Sequence, residues 1–284
     1  MAEILIQPRR KDFSSYYNYI IKNNLGIEVV ELSNTVILND TLKFLEFKNF
    51  YKKALNNFTN LITYHGAFID LKIESPDRSI RLASRKRVIQ SIEAAKEIGA
   101  EMIVFHSGYN PIINNPYYIS NFVKESISFW KKMIEQYDIK ICIENMWDNR
   151  GDVLLELMEG INDKRAGICL DVGHMNIYEK SRNGLLIKSL GRHIKHIHMN
   201  DNNGSEDEHL AIGDGSIRWP EVSNLLEIFT HGPSIVIEVQ GINRFEKSYK
   251  YLQDYKVFPY HKKRHMSKEP VFLDRNKNYL NYSS

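Results

Sequence analysis

The feature that most constrains this chain is a rhythm. Eight short β-rich runs, Glu3–Gln7, Ile27–Leu32, Leu61–His65, Glu101–His106, Lys140–Glu144, Ala166–Asp171, Ile194–His198 and Ser234–Val239, alternate with longer segments of helical periodicity. Arg78–Ile98 and Pro116–Tyr137 are the clearest of those helical segments. Strand and helix in strict alternation imply parallel strands joined by crossovers, and eight such units close into a (β/α)8 TIM barrel of the α/β class. The length of 284 residues suits one barrel, since the fold takes about 250. A doubly wound open sheet is the other parallel arrangement, but it usually carries a glycine-rich phosphate loop after its first strand. This chain has Pro8-Arg9-Arg10-Lys11 there. The barrel is expected over residues 1–258 and a polar C-terminal tail over 259–284. The basic run His261–His265 in that tail reads as solvated.

Composition enters as a set of exclusions. Hydrophobic residues make up 43% and charged residues 26%, so a large core is available and general disorder is excluded. The net charge of +3 is too small to argue for nucleic acid by itself. The two cysteines, Cys142 and Cys169, sit in apolar runs. That placement speaks against a disulfide framework and fits a cytoplasmic protein. There is no apolar signal core at the start and no run of about 18 apolar residues, so no membrane partner is expected. Nothing in the sequence speaks to the oligomeric state.

Chemistry gathers where the runs end. His65 ends the third, His106 the fourth, Glu144 the fifth, Asp171 the sixth and His198 the seventh, while Glu238 lies late in the eighth. Active sites of (β/α)8 barrels are built at this carboxyl end. Residues two apart on a strand share a face. Glu144 therefore lies with Cys142, Asp171 with Cys169, and Glu238 with Val236, all on the barrel-interior side. Buried carboxylates without a partner cost several kcal/mol, on the order of the penalty for an uncompensated charge, and a cation removes that cost. One strand-end histidine is usually just a hydrogen-bonding group, but six ligand side chains on successive strands point to a metal. His174, three residues after Asp171, and the pair Asp207 and His209 are further ligand candidates in the following loops. Asp207 as a turn cap and His209 as a surface residue is the competing reading of that pair. The mixed imidazole and carboxylate set suits Zn, Mn, Co or Fe, in one to three ions. His196 is expected to fill the layer beneath the site, and His193 and His231 to lie outside it. Phe68 and Trp147, in loops after the third and fifth runs, would stack on a substrate ring or serve as packing residues.

In order along the chain stand Tyr64-His65-Gly66-Ala67-Phe68, Val104-Phe105-His106-Ser107-Gly108, Ile143-Glu144-Asn145, Leu170-Asp171-Val172-Gly173-His174, His196-Ile197-His198-Met199-Asn200-Asp201, Asp207-Glu208-His209-Leu210-Ala211-Ile212-Gly213-Asp214-Gly215 and Ile237-Glu238. From about Glu3 to Tyr255 this set resembles the xylose-isomerase-like superfamily, which contains sugar-phosphate isomerases and epimerases together with endonuclease IV. The epimerase resemblance implies one divalent ion on Glu144, Asp171, His198 and Glu238. It also implies that Glu144 and Glu238 move a carbon-bound proton through a metal-stabilised enediolate, and that His174 touches a sugar or sugar-phosphate substrate. This isomerase or epimerase activity is the first expectation. The alternative is a zinc-dependent phosphodiesterase of the endonuclease IV kind acting at abasic sites in DNA. That resemblance implies nine ligands for three zinc ions: His65, His106, Glu144, Asp171, His174, His198, Asp207, His209 and Glu238. Nucleic acid is a partner only under this second reading. Gln7-Pro8-Arg9 departs from the histidine-containing first strand of the nuclease pattern, and there is no clear set of basic, glycine-containing loops for gripping a bent duplex.

Overall fold

Every strand carries β-branched or other apolar residues on one face, and that face meets the helices. The computed structural model describes residues 3–179 and 183–260. Its elements run β1 (Ile4–Ile6), α1 (Phe13–Lys22), β2 (Gly26–Val29), α2 (Thr35–Leu38), α3 (Thr41–Ala54), β3 (Ile62–His65), α4 (Arg78–Ile98), β4 (Met102–His106), α5 (Pro116–Tyr137), β5 (Lys140–Glu144), α6 (Asp152–Ile161), β6 (Ala166–Asp171), α7 (Val172–Tyr178), α8 (Leu185–Leu190), β7 (Ile194–Met199), α9 (Trp219–Phe229), β8 (Ser234–Ile237) and α10 (Ile242–Asp254). The strands pair in parallel, each with the next, and β8 returns to β1 to close the barrel. The expected tail lies outside the described residues except for Pro259 and Tyr260.

Alternation sorts the side chains as the sequence implied. Ile103, Phe105, Ile141, Ile143, Ile168, Leu170, Ile235 and Ile237 join the large core between barrel and helices. Met102, Val104, Cys142 and Cys169 form a small apolar layer inside the barrel, and Leu5, Leu61 and Val236 a second. Each fully buried Ile or Leu is worth roughly 1.5–3 kcal/mol. Both thiols are free and buried, and burial pushes the Cys142 thiol up to about 12. They therefore act as packing groups.

The two longest helices have the expected bounds because their ends are chemically marked. Asp77 caps α4 by accepting from the Ser79 and Ile80 amides, and Gly99 ends it at φ +90°. Asn115 caps α5, with Pro116 at its first position. The second strand is shorter than expected. Pairing with β3 stops at Val29, and Glu31–Ser33 turn into a 3-10 helix. The reason is tertiary: the Glu31 carboxylate accepts from the Arg10 amide and the Tyr51 hydroxyl, each at 2.6 Å, which draws the chain out of the ladder.

Strand register then aims the site. His106 pairs with Glu144, and Asp171 with His198, so neighbouring strands end on adjacent polar side chains. Glu238 lies one residue beyond β8, and its amide still bonds to the Met199 carbonyl at 2.9 Å. It is thereby held at the same level as the others.

Candidate metal centre

Nine side chains meet at the carboxyl mouth of the barrel in three groups. In the first, Glu144 Oε2 lies 3.3 Å from His65 Nε2 and 3.5 Å from His106 Nε2. In the second, His198 Nδ1 lies 3.2 Å from both Glu144 Oε1 and Glu238 Oε2, with Asp171 beside them. Within each of these two groups the ligand atoms all fall within 4.8 Å of one another. In the third, Asp207 Oδ2 lies 3.4 Å from His174 Nε2 and 3.0 Å from His209 Nε2. Glu144 belongs to the first two groups and gives each a different oxygen.

Ring orientation favours ligation. His65 Nδ1 is 2.9 Å from the Gly66 carbonyl, His174 Nδ1 2.9 Å from the Asn145 carbonyl, and His209 Nδ1 2.9 Å from the Glu238 carbonyl. A carbonyl only accepts, so each Nδ1 carries the proton and each Nε2 is free to bind a cation. Asn145 in turn bonds both the amide and the carbonyl of Asp171, at 2.9 and 3.0 Å, and so ties the ends of β5 and β6 together. Asp171 Oδ1 accepts from the His174 amide and starts α7, which carries His174 back toward the site. Gly173 is required in that turn, because a Cβ there would meet Asn200 Oδ1 at 2.0 Å.

The fit to a cation can be judged from the cluster itself. Glu144 Oε2 is buried and makes no hydrogen bond among the described residues, although two imidazole nitrogens stand close to it. Lone pairs aimed at one another across 3.3 to 3.5 Å suit ligands around a common ion. Without an ion the charge is balanced by protons. Burial works against the His174 cation, yet the Asp171 charge and the Asp207 hydrogen bond raise it to about 10. Burial likewise opposes the His209 cation, and Asp207 and Glu238 raise it to about 10. His106 is pushed down to about 4, chiefly by burial. Burial would raise Glu238, but His198 beside it brings it down to about 2. Asp171 is raised to about 6, first by burial. Mixed nitrogen and oxygen donors of this kind suit zinc, manganese, iron or cobalt.

All nine sequence candidates are in the cluster, and His196 lies fully buried directly beneath it. The reading of Asp207 as a turn cap and His209 as a surface group is not what the geometry gives, since both face the site. Phe68 packs against the rings of His65 and His106, with centroids 5.3 and 4.9 Å away. Trp147 lies at the rim, 40% exposed, with the Lys72 ammonium over its ring. Both aromatics line a cavity of about 720 Å³ that opens over the cluster, along with Gln7, Arg9 and Lys11.

Sequence reasoning missed three residues. Glu28 on β2 is fully buried inside the barrel, where it bonds Gln7, Thr63 and His196. Its signal was present: a glutamate between Ile27 and Val29 falls on the interior face. Gln7 bridges Glu28 and Glu238, at 2.9 and 3.2 Å. Asp201 accepts from the Gly213 and Ile217 amides and from Trp219 Nε1, folding the loop that holds Asp207 and His209.

Residues 23–255 match the family model described as a xylose isomerase-like TIM barrel. An uncharacterized protein of Methanocaldococcus jannaschii, MJ1311, is 33% identical over 204 residues, covering 68% of this chain and 69% of its own. A probable endonuclease 4 of Aquifex aeolicus is 25% identical over 202 residues, covering 64% of this chain and 71% of its own. Among solved structures, a D-tagatose 3-epimerase-like protein superposes with a TM-score of 0.71 at 27% identity, covering 89% of this chain and 97% of that one.

Proposed function

The chain belongs to the xylose isomerase-like TIM barrel family, and we propose that within it this protein is a multinuclear divalent-metal hydrolase of phosphoester bonds. The observation that carries the proposal is the sharing of Glu144 between two ligand groups, with a third group around Asp207. A one-ion enzyme needs only Glu144, Asp171, His198 and Glu238. It would leave His65, His106, Asp207 and His209 with no task, although the imidazoles of His65 and His209 are oriented for ligation.

In this reading His65, His106 and Glu144 hold one ion, Glu144, Asp171, His198 and Glu238 a second, and His174, Asp207 and His209 a third. Bound ions would neutralise the carboxylates, acidify a water and stabilise the charge that grows on the leaving oxygen. The chain's own groups place the substrate. Phe68 and Trp147 flank the cavity and offer apolar faces to a sugar ring, while Arg9 and Lys11 bring positive charge to its wall. The hydrogen bonds that the ring Nδ1–H groups donate to backbone carbonyls hold the rings in place before substrate arrives. The first substrate to try is a duplex with one abasic site, given the relative named as a probable endonuclease 4. Purified protein supplied with zinc should nick it at low salt, and Glu144→Gln should abolish the nicking. No incision of that duplex, and none of simpler phosphodiesters, would sink the proposal.

A second reading has its own support. The group Glu144, Asp171, His198 and Glu238 is complete by itself, with two carboxylates converging on His198 Nδ1, and a solved relative at 27% identity is a D-tagatose 3-epimerase-like protein. Sugar or sugar-phosphate epimerisation would use Glu144 and Glu238 as the acid/base pair and His174 as a substrate contact. It calls for solvent deuterium entering a ketose, and for loss of that exchange in Glu238→Gln. Metal content separates the two: one ion per chain favours the epimerase, two or three the hydrolase.

A further inference from the structure

We infer that Glu28 is a positioning residue for the metal centre: its carboxylate orients the His198 ring so that Nδ1, rather than Nε2, faces the ligand cluster. The inference rests on the metal reading above.

The argument begins with the other ligand imidazoles. His65, His174 and His209 each place Nδ1 on a backbone carbonyl and point Nε2 into the site. His198 is turned the other way. Its Nδ1 meets Glu144 and Glu238, both at 3.2 Å, and its Nε2 points down into the barrel. No carbonyl receives that nitrogen. The atom facing it is Glu28 Oε1, at 3.2 Å. Among the described residues Nε2 has no well-aligned hydrogen bond, so this carboxylate is the acceptor placed to take its proton. Glu28 is itself pinned. Gln7 donates to Oε1 at 2.9 Å and Thr63 to Oε2 at 2.7 Å, while His196 Nε2 approaches Oε2 at 3.1 Å. The far nitrogen of His196 is 2.7 Å from Ser234 Oγ. A polar column therefore runs up the barrel interior from Ser234 to the ligand cluster, and Glu28 is its central member.

A carboxylate behind a ligating histidine fixes the ring and makes it a stronger donor, and loss of such a partner costs about 10- to 100-fold in metal affinity. A competing arrangement lies just below the cluster. Cys169, His196 and His198 offer ligand atoms within 4.8 Å of one another, so an ion bound below would claim Nε2 instead.

Nitrogen-15 NMR on histidine-labelled, zinc-loaded wild type decides between them. The expected result is a proton on Nε2 of His198 and a zinc-shifted Nδ1. A zinc-shifted Nε2 with no proton overturns the inference, and this measurement needs no variant. In Glu28→Ala no acceptor is left facing that nitrogen. The His198 proton should move to Nδ1, and zinc affinity of the group should fall by about 10- to 100-fold in calorimetric titration. Wild-type affinity with unchanged nitrogen shifts in that variant overturns the role of Glu28 while leaving the metal centre intact. A wild-type protein that takes up no zinc overturns both.

Discussion

Asp207 Oδ2 stands 3.0 Å from His209 Nε2, although the two residues are separated only by Glu208 in a loop with no regular structure. The backbone achieves this by taking His209 to φ +47°, and the Asp201–Leu210 bridge holds the turn closed. A non-glycine residue at positive φ is strained unless its surroundings hold it there. That turn brings the His209 imidazole onto Asp207 Oδ2, which also stands 3.4 Å from His174 Nε2.

This third ligand group should be separable from the other two. His209→Ala removes one of three donors without touching Glu144. Elemental analysis after gentle purification should find one ion fewer per chain than in wild type, with the first two groups still filled. Equal metal content in the variant and the wild type would show that the third group holds no ion.

Glu144 should behave differently, because it serves two groups. Glu144→Gln takes a carboxylate from both groups, and the first has no other. Zinc uptake should fall by more than one ion equivalent, whereas Asp171→Asn should affect only the second group. If the two variants lose the same amount of metal, Glu144 is not shared.

Metal uptake should release protons, and the sign follows from the histidines. In the ion-free protein His174 and His209 are raised to about 10, so both are charged at pH 7. Ligation requires the neutral ring, so each must shed a proton as the ion enters. Zinc added in weak buffer at pH 7 should acidify the solution. Apparent affinity should climb between pH 6 and 8, by roughly tenfold per unit for each proton displaced. Chelation should reverse the release and lower the Tm, since an ion held only by the folded state stabilises by about 2.7 kcal/mol at a hundredfold excess over Kd. A pH-independent affinity would contradict the charge state assigned to these two residues.

What the sequence made legible, and what it did not, follows the range of the forces involved. Residues such as Ile141, Ile143, Cys142 and Glu144 declare their faces by alternation, a local signal, so the barrel and its strand-end ligands could be read directly. The ends of α4 and α5 were marked by Asp77, Gly99 and Asn115, again locally. Glu28 escapes a strand-end reading because it sits mid-strand and is defined by Gln7 and His196, 21 and 168 positions away. Asp201 was missed because its partners, two backbone amides and Trp219 Nε1, lie 12 to 18 positions on across an irregular loop. The shortening of β2 was invisible because it depends on a long-range bond that the Tyr51 hydroxyl donates to Glu31.

Asp148 gives a stability prediction of its own. It is fully buried in the loop after β5, and its Oδ2 accepts from Ser107 Oγ at 2.8 Å and the Met146 amide at 3.0 Å, while Oδ1 has no hydrogen-bond partner. Burial raises this carboxyl from 3.8 to about 6. The folded state therefore holds its proton more tightly than the unfolded chain does. Between about pH 4 and pH 6 the unfolded state gives up that proton first. The contribution of the protonated acid is complete below the lower value and is lost as pH rises through the upper one. Asp148→Asn keeps an oxygen for Ser107 and Met146 but cannot ionise. Its stability relative to wild type should climb across that window and level off above it, with a total change on the order of 2 kcal/mol. Urea denaturation at pH 4, 5, 6 and 7, with metal removed from both proteins, measures the difference. A flat difference across the series would mean that Asp148 is already ionised in the fold at pH 4.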